Sequence, residues 1–220
     1  MTTLTIGSHN VRRGRAQFRN FAVVINKQEM ETAEAHRRLQ GKKRYWHTPH
    51  PSGPPAPRDF LTISGRKSRC RLVESGWEKV HGGEAGETPS RGIEWAVISV
   101  GRKNDLLIDL NPWPINGGWK PRKFGRDEAA WRALLHDAYV STMRVLIDQL
   151  RDRYPDAEVV VAGDLNWPER VGLPGLRLAL RNGVDHIYVS SGLRKRRVWR
   201  LPRWGSDHRP IKVRVTWKKR

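Results

Sequence analysis

The chain has 220 residues, 37% of them hydrophobic, which suits one domain spanning residues 1–220 with a sizeable core. Its apolar runs are far shorter than a membrane span, MTTLTIGSHN lacks a signal-peptide pattern, and the lone Cys70 excludes a disulfide framework or cysteine-rich zinc site, so a cytoplasmic monomer is expected. Lys and Arg number 42 against 22 Asp and Glu, and the resulting +20 favours a polyanionic partner, nucleic acid first and an anionic membrane second, over a surface that is merely basic.

In chain order, Leu4–Val11 reads as a first strand that ends in Asn10 before the turn Arg12-Arg13-Gly14. Ala16–Phe21 suits a short helix, Phe21–Ile25 a second strand delivering Glu29 at its exit, and Glu31–Gln40 a solvated helix. A proline-rich loop covers Tyr45–Asp59; its His47 and His50 have metal-like spacing, but Pro49 and Pro51 oppose the helix that spacing needs. Phe60–Ser64 and Cys70–Trp77 read as strands around the basic turn GRKSR, and His81–Gly92 as a glycine-rich loop with no phosphate-binding spacing. Ile93–Gly101 and Leu106–Leu110 form a hairpin pattern, followed by the loop Asn111–Arg126, where Trp and basic residues interleave.

Asp127–Tyr154 is the one long helix, with Ala130, Leu134, Ala138, Val145 and Leu150 marking its apolar face and Pro155 stopping it. Glu158–Pro168 (EVVVAGDLNWP) reads as a buried strand that releases Asp164 and Asn166 at its end. Gly175–Asn182 reads as a short helix, Asp185–Ser190 and Val198–Leu201 as strands, and Pro210–Trp217 as a strictly alternating final strand. Strands with few helices predict an α+β or α/β architecture with much antiparallel pairing.

One pattern recurs. Strands release Asn10, Glu29, and Asp164 with Asn166 at their ends; Asp185 opens a strand, and Asp207-His208 precede the last one. Carboxylates suit a hard cation such as Mg²⁺, amides suit phosphate oxygens, and an imidazole can donate to developing negative charge. The motifs SHNVRRG (Ser8–Gly14), QEM (Gln28–Met30), GDLN (Gly163–Asn166), VDHIYVS (Val184–Ser190) and SDHRPI (Ser206–Ile211) stand in an order that resembles the endonuclease/exonuclease/phosphatase superfamily.

That resemblance implies a DNase I-like α/β sandwich of four layers, with two mostly antiparallel sheets flanked by helices. It implies Glu29 as the main metal carboxylate with Asn10 and Asp207 beside the same Mg²⁺, for which Mn²⁺ can substitute. Asp164 is the implied handler of attacking water, Asn166 positions water or phosphate, and His208 contacts the scissile phosphate with Asp185 holding it. Where many members carry His or Tyr, this sequence has Asn111, which can donate to phosphate but carries no charge. His186 is expected on the opposite face from Asp185. The implied activity is metal-dependent phosphodiester hydrolysis, most simply by a nuclease on DNA ahead of RNA; a phosphatase on small or lipid phosphates and a non-catalytic binding module are the alternatives.

Overall fold

The computed structural model describes residues 2–12, 21–29, 42–48, 61–81, 91–115 and 120–218. The helix expected at Ala16–Phe21 apart from Phe21, the helix expected at Glu31–Gln40, His50 with most of the proline loop, and residues 82–90 of the glycine-rich loop expected at His81–Gly92 lie outside these residues.

Seven strands come first: β1 Thr3–Asn10, β2 Val24–Gln28, β3 Tyr45–His47, β4 Thr62–Arg66, β5 Cys70–His81, β6 Arg91–Val100 and β7 Asp105–Pro112. Helices α1 Pro121–Phe124 and α2 Arg126–Arg153 follow. The remaining strands are β8 Glu158–Asp164, β9 Leu176–Asn182, β10 Asp185–Ser190, β11 Leu193–Arg200 and β12 Ile211–Trp217. They form two six-stranded sheets, ordered β11-β12-β1-β2-β4-β3 and β5-β6-β7-β8-β10-β9. Each sheet is antiparallel except for its central pair, β1–β2 in the first and β7–β8 in the second. A parallel pair needs a long crossover, and α2 supplies it between β7 and β8. This is the expected α+β sandwich. Among the described residues no helix is long and apolar enough to cross a membrane.

Alternation divides the second sheet between two cores. Val159 and Val161 join Ile108, Leu110, Tyr139, Met143 and Ile147 under α2, whereas Val160 and Ala162 join Leu4, Ile6, Val24 and Ile98 between the sheets. Val159, Val160 and Val161 are each wholly buried, and such burial stabilises by about 1.5–3 kcal/mol per side chain. Gly163 continues this strand because a Cβ there would lie 2.5 Å from the Pro112 carbonyl oxygen.

Three expectations need correction. Gly175–Asn182 is not a helix: β9 is an edge strand joined to β10 by the two-residue turn Gly183-Val184, with Gly183 at φ 63°. Helix-favouring Leu, Ala and Arg there yield to sheet pairing, since tertiary context overrides weak intrinsic preference. The long helix is present but its buried face is Ala129, His136, Tyr139, Val140, Met143, Leu146, Ile147 and Leu150. Leu134 and Val145 are exposed, so of the expected face only Leu150 is buried; polar-capable His136 and Tyr139 occupy the inward stripe because their polar atoms find Leu165 O, Gly92 O and the Trp113 N–H. The basic turn expected between two strands is present at 67–69, and it carries the chain from one sheet to the other, since β4 pairs with β2 and β5 with β6. Finally, the second strand begins later than Phe21 and draws the polar run Asn26-Lys27-Gln28 into the sheet.

Cys70 is buried, and burial pushes its thiol up to about 11, as suits a structural cysteine.

The space between the sheets changes character along its length. Leu4 and Ile6 give way to Ser8 and Asn10 on β1, Val24 to Asn26 and Gln28 on β2, and Leu107 to Asp109 and Asn111 on β7. The Asn26 amide donates to Asp109 Oδ1 at 3.1 Å, Leu110 O at 3.1 Å and Ala162 O at 2.7 Å. Gln28 Nε2 donates to Asn111 Oδ1 at 2.6 Å, and Asn111 Nδ2 donates to Lys27 O at 2.9 Å. Burial raises Asp109 to about 8, aided by the neighbouring charge of Glu94 and opposed by the Asn26 hydrogen bond. A group raised in this way binds its proton more tightly folded than unfolded, so its contribution to stability is lost as pH rises from about 4 to about 8. Asn is isosteric with the protonated acid. Asp109→Asn is therefore expected to exceed the wild type in stability at both pH 5 and pH 8, by about 3–4 kcal/mol more at pH 8 than at pH 5. Urea unfolding at the two pH values checks this; a difference independent of pH contradicts it.

Candidate active site

The polar end of the intersheet space becomes a cleft where β1, β2, β8 and β10 meet. Asn10 closes β1, and its Nδ2 donates to Glu29 Oε1 at 2.8 Å and to Asp164 Oδ2 at 3.1 Å. Its Oδ1 accepts the Arg12 N–H at 2.9 Å, leaving one oxygen lone pair. Asp164 and Asp185 are directly opposed in the β8–β10 register, which puts both carboxylates on the intersheet face. His186 lies on the other face beside Tyr188, as alternation predicts.

His208 completes the group. Its Nδ1 stands 2.9 Å from Asp185 Oδ2 and 3.9 Å from Asp164 Oδ2. The loop that carries it is tied down by Ser206, whose Oγ donates to Asn10 O at 2.7 Å and accepts the His208 N–H at 3.0 Å. Ser206 has no role in the sequence reading although it opens the SDH motif; a small hydroxyl two residues before a key histidine is the signal for such a tether. Asp207 is exposed beside it.

Asn166 follows Asp164 in an Asx turn, its N–H donating to Asp164 Oδ1 at 2.9 Å and its side-chain amide to Pro114 O at 2.8 Å. The backbone is strained at this end of the molecule. Five non-glycine residues have positive φ among those described: Arg12, Glu29 and Asn166 adjoin the cleft residues, Trp204 lies in the loop that carries His208, against His9 and Phe21, and Asn104 is elsewhere. Strain of this kind persists where surrounding contacts over-determine a site.

Asn111 does not join the cleft. It is wholly buried, and its amide is committed to Lys27 O and Gln28. The phosphate contact expected of it is replaced by an interior role, because a short neutral amide can be satisfied inside the polar layer. Trp167 packs on His136 with ring centroids 4.5 Å apart, and Trp113 is buried under Arg91.

Electrostatically, the cleft gathers Glu29, Asp164, Asp185 and Asp207 around one imidazole. Burial raises Asp164 to about 6 and Asp185 also moves it up, against the pull of His208, the Asn166 N–H and the Asn10 amide. Burial likewise raises Asp185 and Glu29. For His208 burial acts downward, but the Asp185 hydrogen bond and the charges of Asp185, Asp164 and Asp207 outweigh it and raise it to about 10.

Two donor sets suit a cation. The tightest is Asp164, Asp185 and His208, whose ligand atoms lie within 4.8 Å of one another. Its proximity is already accounted for by a protonated His208 held between two carboxylates, and an imidazole nitrogen bonded to Asp185 through its proton cannot also bind metal. Glu29 and Asp207 with the free lone pair of Asn10 offer only hard oxygen donors, the chemistry Mg²⁺ or Mn²⁺ prefers. The residues therefore fit a hard divalent cation.

A family model, Endonuclease/Exonuclease/phosphatase family, matches residues 28–208, and the chain belongs to this family. Its members are phosphoester hydrolases that generally use divalent metals. No curated protein matches the sequence. Among solved structures, an endonuclease/exonuclease/phosphatase family protein from Bacteroides thetaiotaomicron is 15% identical with a TM-score of 0.71, covering 100% of this chain and 99% of that one. TDP2 from D. rerio complexed with single strand DNA product is 16% identical, TM-score 0.70, with 98% and 100% covered. The mannosyl-6-phosphatase Bt3783 of Bacteroides thetaiotaomicron is 15% identical, TM-score 0.68, with 97% and 100% covered. At these identities the likeness establishes the fold, the DNase I-like α+β sandwich.

The pairing of His208 with Asp185 makes a direct prediction. In chelator, the His208 imidazole should stay protonated through pH 8 by NMR titration, and Asp185→Asn should move its midpoint from about 10 toward the ordinary 6.5. A wild-type midpoint already near 6.5 contradicts the assignment.

Proposed function

We propose that the chain is a Mg²⁺-dependent phosphodiesterase acting as a nuclease, with DNA ahead of RNA as substrate. The observation that carries this reading is the convergence of Glu29, Asn10, Asp164, Asp185 and His208 in one cleft of a chain with net charge +20. A diester backbone rewards distributed Lys and Arg, and a small phosphate monoester does not. The relatives named above include one structure with a DNA product and one sugar phosphatase, so the charge of this chain is what favours the polynucleotide.

In this reading Glu29, Asn10 and Asp207 hold the cation, Mg²⁺ with Mn²⁺ as substitute. When bound, it neutralises charge on a non-bridging phosphate oxygen and acts as a Lewis acid. Asp164 accepts a proton from water as the water oxygen forms its bond to phosphorus; the ester P–O bond breaks and the leaving alkoxide takes a proton from solvent to become the alcohol. Burial lifts Asp164 to about 6, and a base near neutrality is suited to that transfer. Asn166 fixes the Asp164 carboxylate through its N–H. His208, oriented at Nδ1 by Asp185, presents Nε2–H to the phosphate, where a positive donor stabilises the charge that develops in the transition state. Residues 1–220 act as one domain with one such site.

Incubation with supercoiled plasmid, abasic-site duplex and single-stranded RNA, with Mg²⁺ or with EDTA, tests the proposal. Cleavage of DNA that EDTA abolishes is expected, reduced about 10²–10³-fold by His208→Ala and at least as strongly by Asp164→Asn. Hydrolysis of sugar or inositol phosphates with polynucleotides untouched would replace the nuclease by a phosphatase. Tight DNA binding with no cleavage under any metal would leave a binding module.

A further inference from the structure

The outer face of the first sheet carries a cluster that the cleft does not use. The β11–β12 register pairs Trp199 with Lys212 and Arg197 with Arg214, which places all four on one face. Lys212 Nζ lies 4.4 Å from the centroid of the Trp199 ring, and the guanidinium carbons of Arg197 and Arg214 lie at 5.1 and 5.5 Å. Arg197 and Arg214 are exposed; Trp199 and Lys212 are half-buried. Among the described residues no Asp or Glu pairs with any of these three cations. The crowding is felt by Lys212, whose ammonium is pushed down by partial burial and then by Arg214 and Arg197.

Basic side chains on an edge strand commonly block edge-to-edge pairing of sheets. That role accounts for Arg197 on the edge strand β11. It does not account for Arg214, which lies on the interior strand β12, or for three cations converging on one indole, of which, among the described residues, only the Lys212 ammonium has a backbone acceptor, Phe21 O at 3.3 Å. Cation–π contact offsets their mutual repulsion by only about 0.5–1 kcal/mol each at exposed sites. A shared polyanion would complete the cluster.

Its position relates it to the cleft. Lys212 pairs with Gly7 on β1, three residues before Asn10. The Trp199 patch is thus about 10 Å along the strands and about 10 Å across two strand spacings from Asn10, a diagonal of about 14 Å. That is roughly four base-pair steps of a nucleic-acid strand. The same face also carries Phe21, over Gly7, and Trp204, but these half-buried rings pack on one another and on His9, and Val198 points to the other side; with the net charge of +20 the cations favour a nucleic acid over a bilayer.

We propose that Arg197, Trp199, Lys212 and Arg214 form a second phosphate-backbone contact that holds a polynucleotide leading into the cleft, with the indole fixing the spacing of the cations. The inference rests on the nuclease reading for its substrate, but its test does not need cleavage. Binding of a fluorescent single-stranded DNA of about 20 nucleotides is measured by anisotropy in EDTA across a NaCl series. Arg197→Gln/Arg214→Gln should weaken binding about tenfold and make the log–log salt slope shallower by about 1.4, the value for two phosphates on a single strand. Arg197→Lys/Arg214→Lys should keep the wild-type slope, and the affinity for a dinucleotide, too short to span the distance, should not change in either variant. Thermal melts establish that both variants fold.

Wild-type affinity and slope in the Gln variant would overturn the proposal and leave edge protection as the role of these charges. An equal loss on the dinucleotide would overturn it as well, because the effect would then lie at the cleft. Patch-dependent binding to phosphatidylserine vesicles without patch-dependent binding to DNA would replace the nucleic acid with a membrane. If the wild type cleaves no polynucleotide, the nuclease reading fails while the salt slopes still decide whether the patch binds one.

Discussion

The structure depends on a step in polarity along the space between its two sheets. At one end Leu4, Ile6, Val24, Ile98, Leu107 and Val160 pack as an ordinary hydrocarbon core. Continuing the same inward positions along β1, β2, β6, β7, β8 and β10, the residues become Asn10, Asn26, Glu94, Asp109, Asp164 and Asp185. Because inward positions recur every second residue, six strands can change character at one level only if their registers agree. The two parallel pairs and their antiparallel neighbours provide that agreement. Buried carboxylates and amides are unfavourable unless hydrogen-bonded, so the apolar half stabilises the fold and the polar half weakens it locally. The cleft opens at the outer limit of the polar half.

Within that half, two kinds of polar group are distinguishable. Asn26, Gln28 and Asn111 spend their amides on one another and on backbone carbonyls, and they form a floor. Glu29, Asp164, Asp185 and His208 are ionisable groups linked to one another directly or through the Asn10 amide. Protonated His208 is a resident positive charge among carboxylates, which makes the tightest cluster of metal-like ligands the less suitable place for a metal. The set at Glu29, Asn10 and Asp207 offers oxygen donors alone.

Much of this was legible in the sequence. Polar residues at strand ends (Asn10, Glu29 and Asp164 after strands, Asp185 and Asp207-His208 before them) are the polarity step written in one dimension, and the fold brings them to one end of the intersheet space. Asn111 was misplaced because a residue at the end of a strand reads the same whether it forms the floor or the cleft; its partners, Gln28 and Lys27, are remote in sequence. The phase of α2 was misread since His136 and Tyr139 count as polar until their hydrogen bonds are known, whereas Leu134 and Val145 count as apolar although they face outward. The strand β9 was hidden by helix-favouring side chains that only pairing with β10 overrides. Ser206 was hidden by its size, and the Trp199 cluster by the pairing of two strands whose contact only the register reveals.

The central claim is that the cleft binds its divalent ion at Glu29, Asn10 and Asp207 and leaves His208 to act on the phosphate. Electron paramagnetic resonance of Mn²⁺ titrated into the protein tests it most directly. The account predicts that Glu29→Gln removes most Mn²⁺ binding, whereas Asp185→Asn retains it. Retention in Glu29→Gln together with loss in Asp185→Asn would place the ion among Asp164, Asp185 and His208, and would contradict the account.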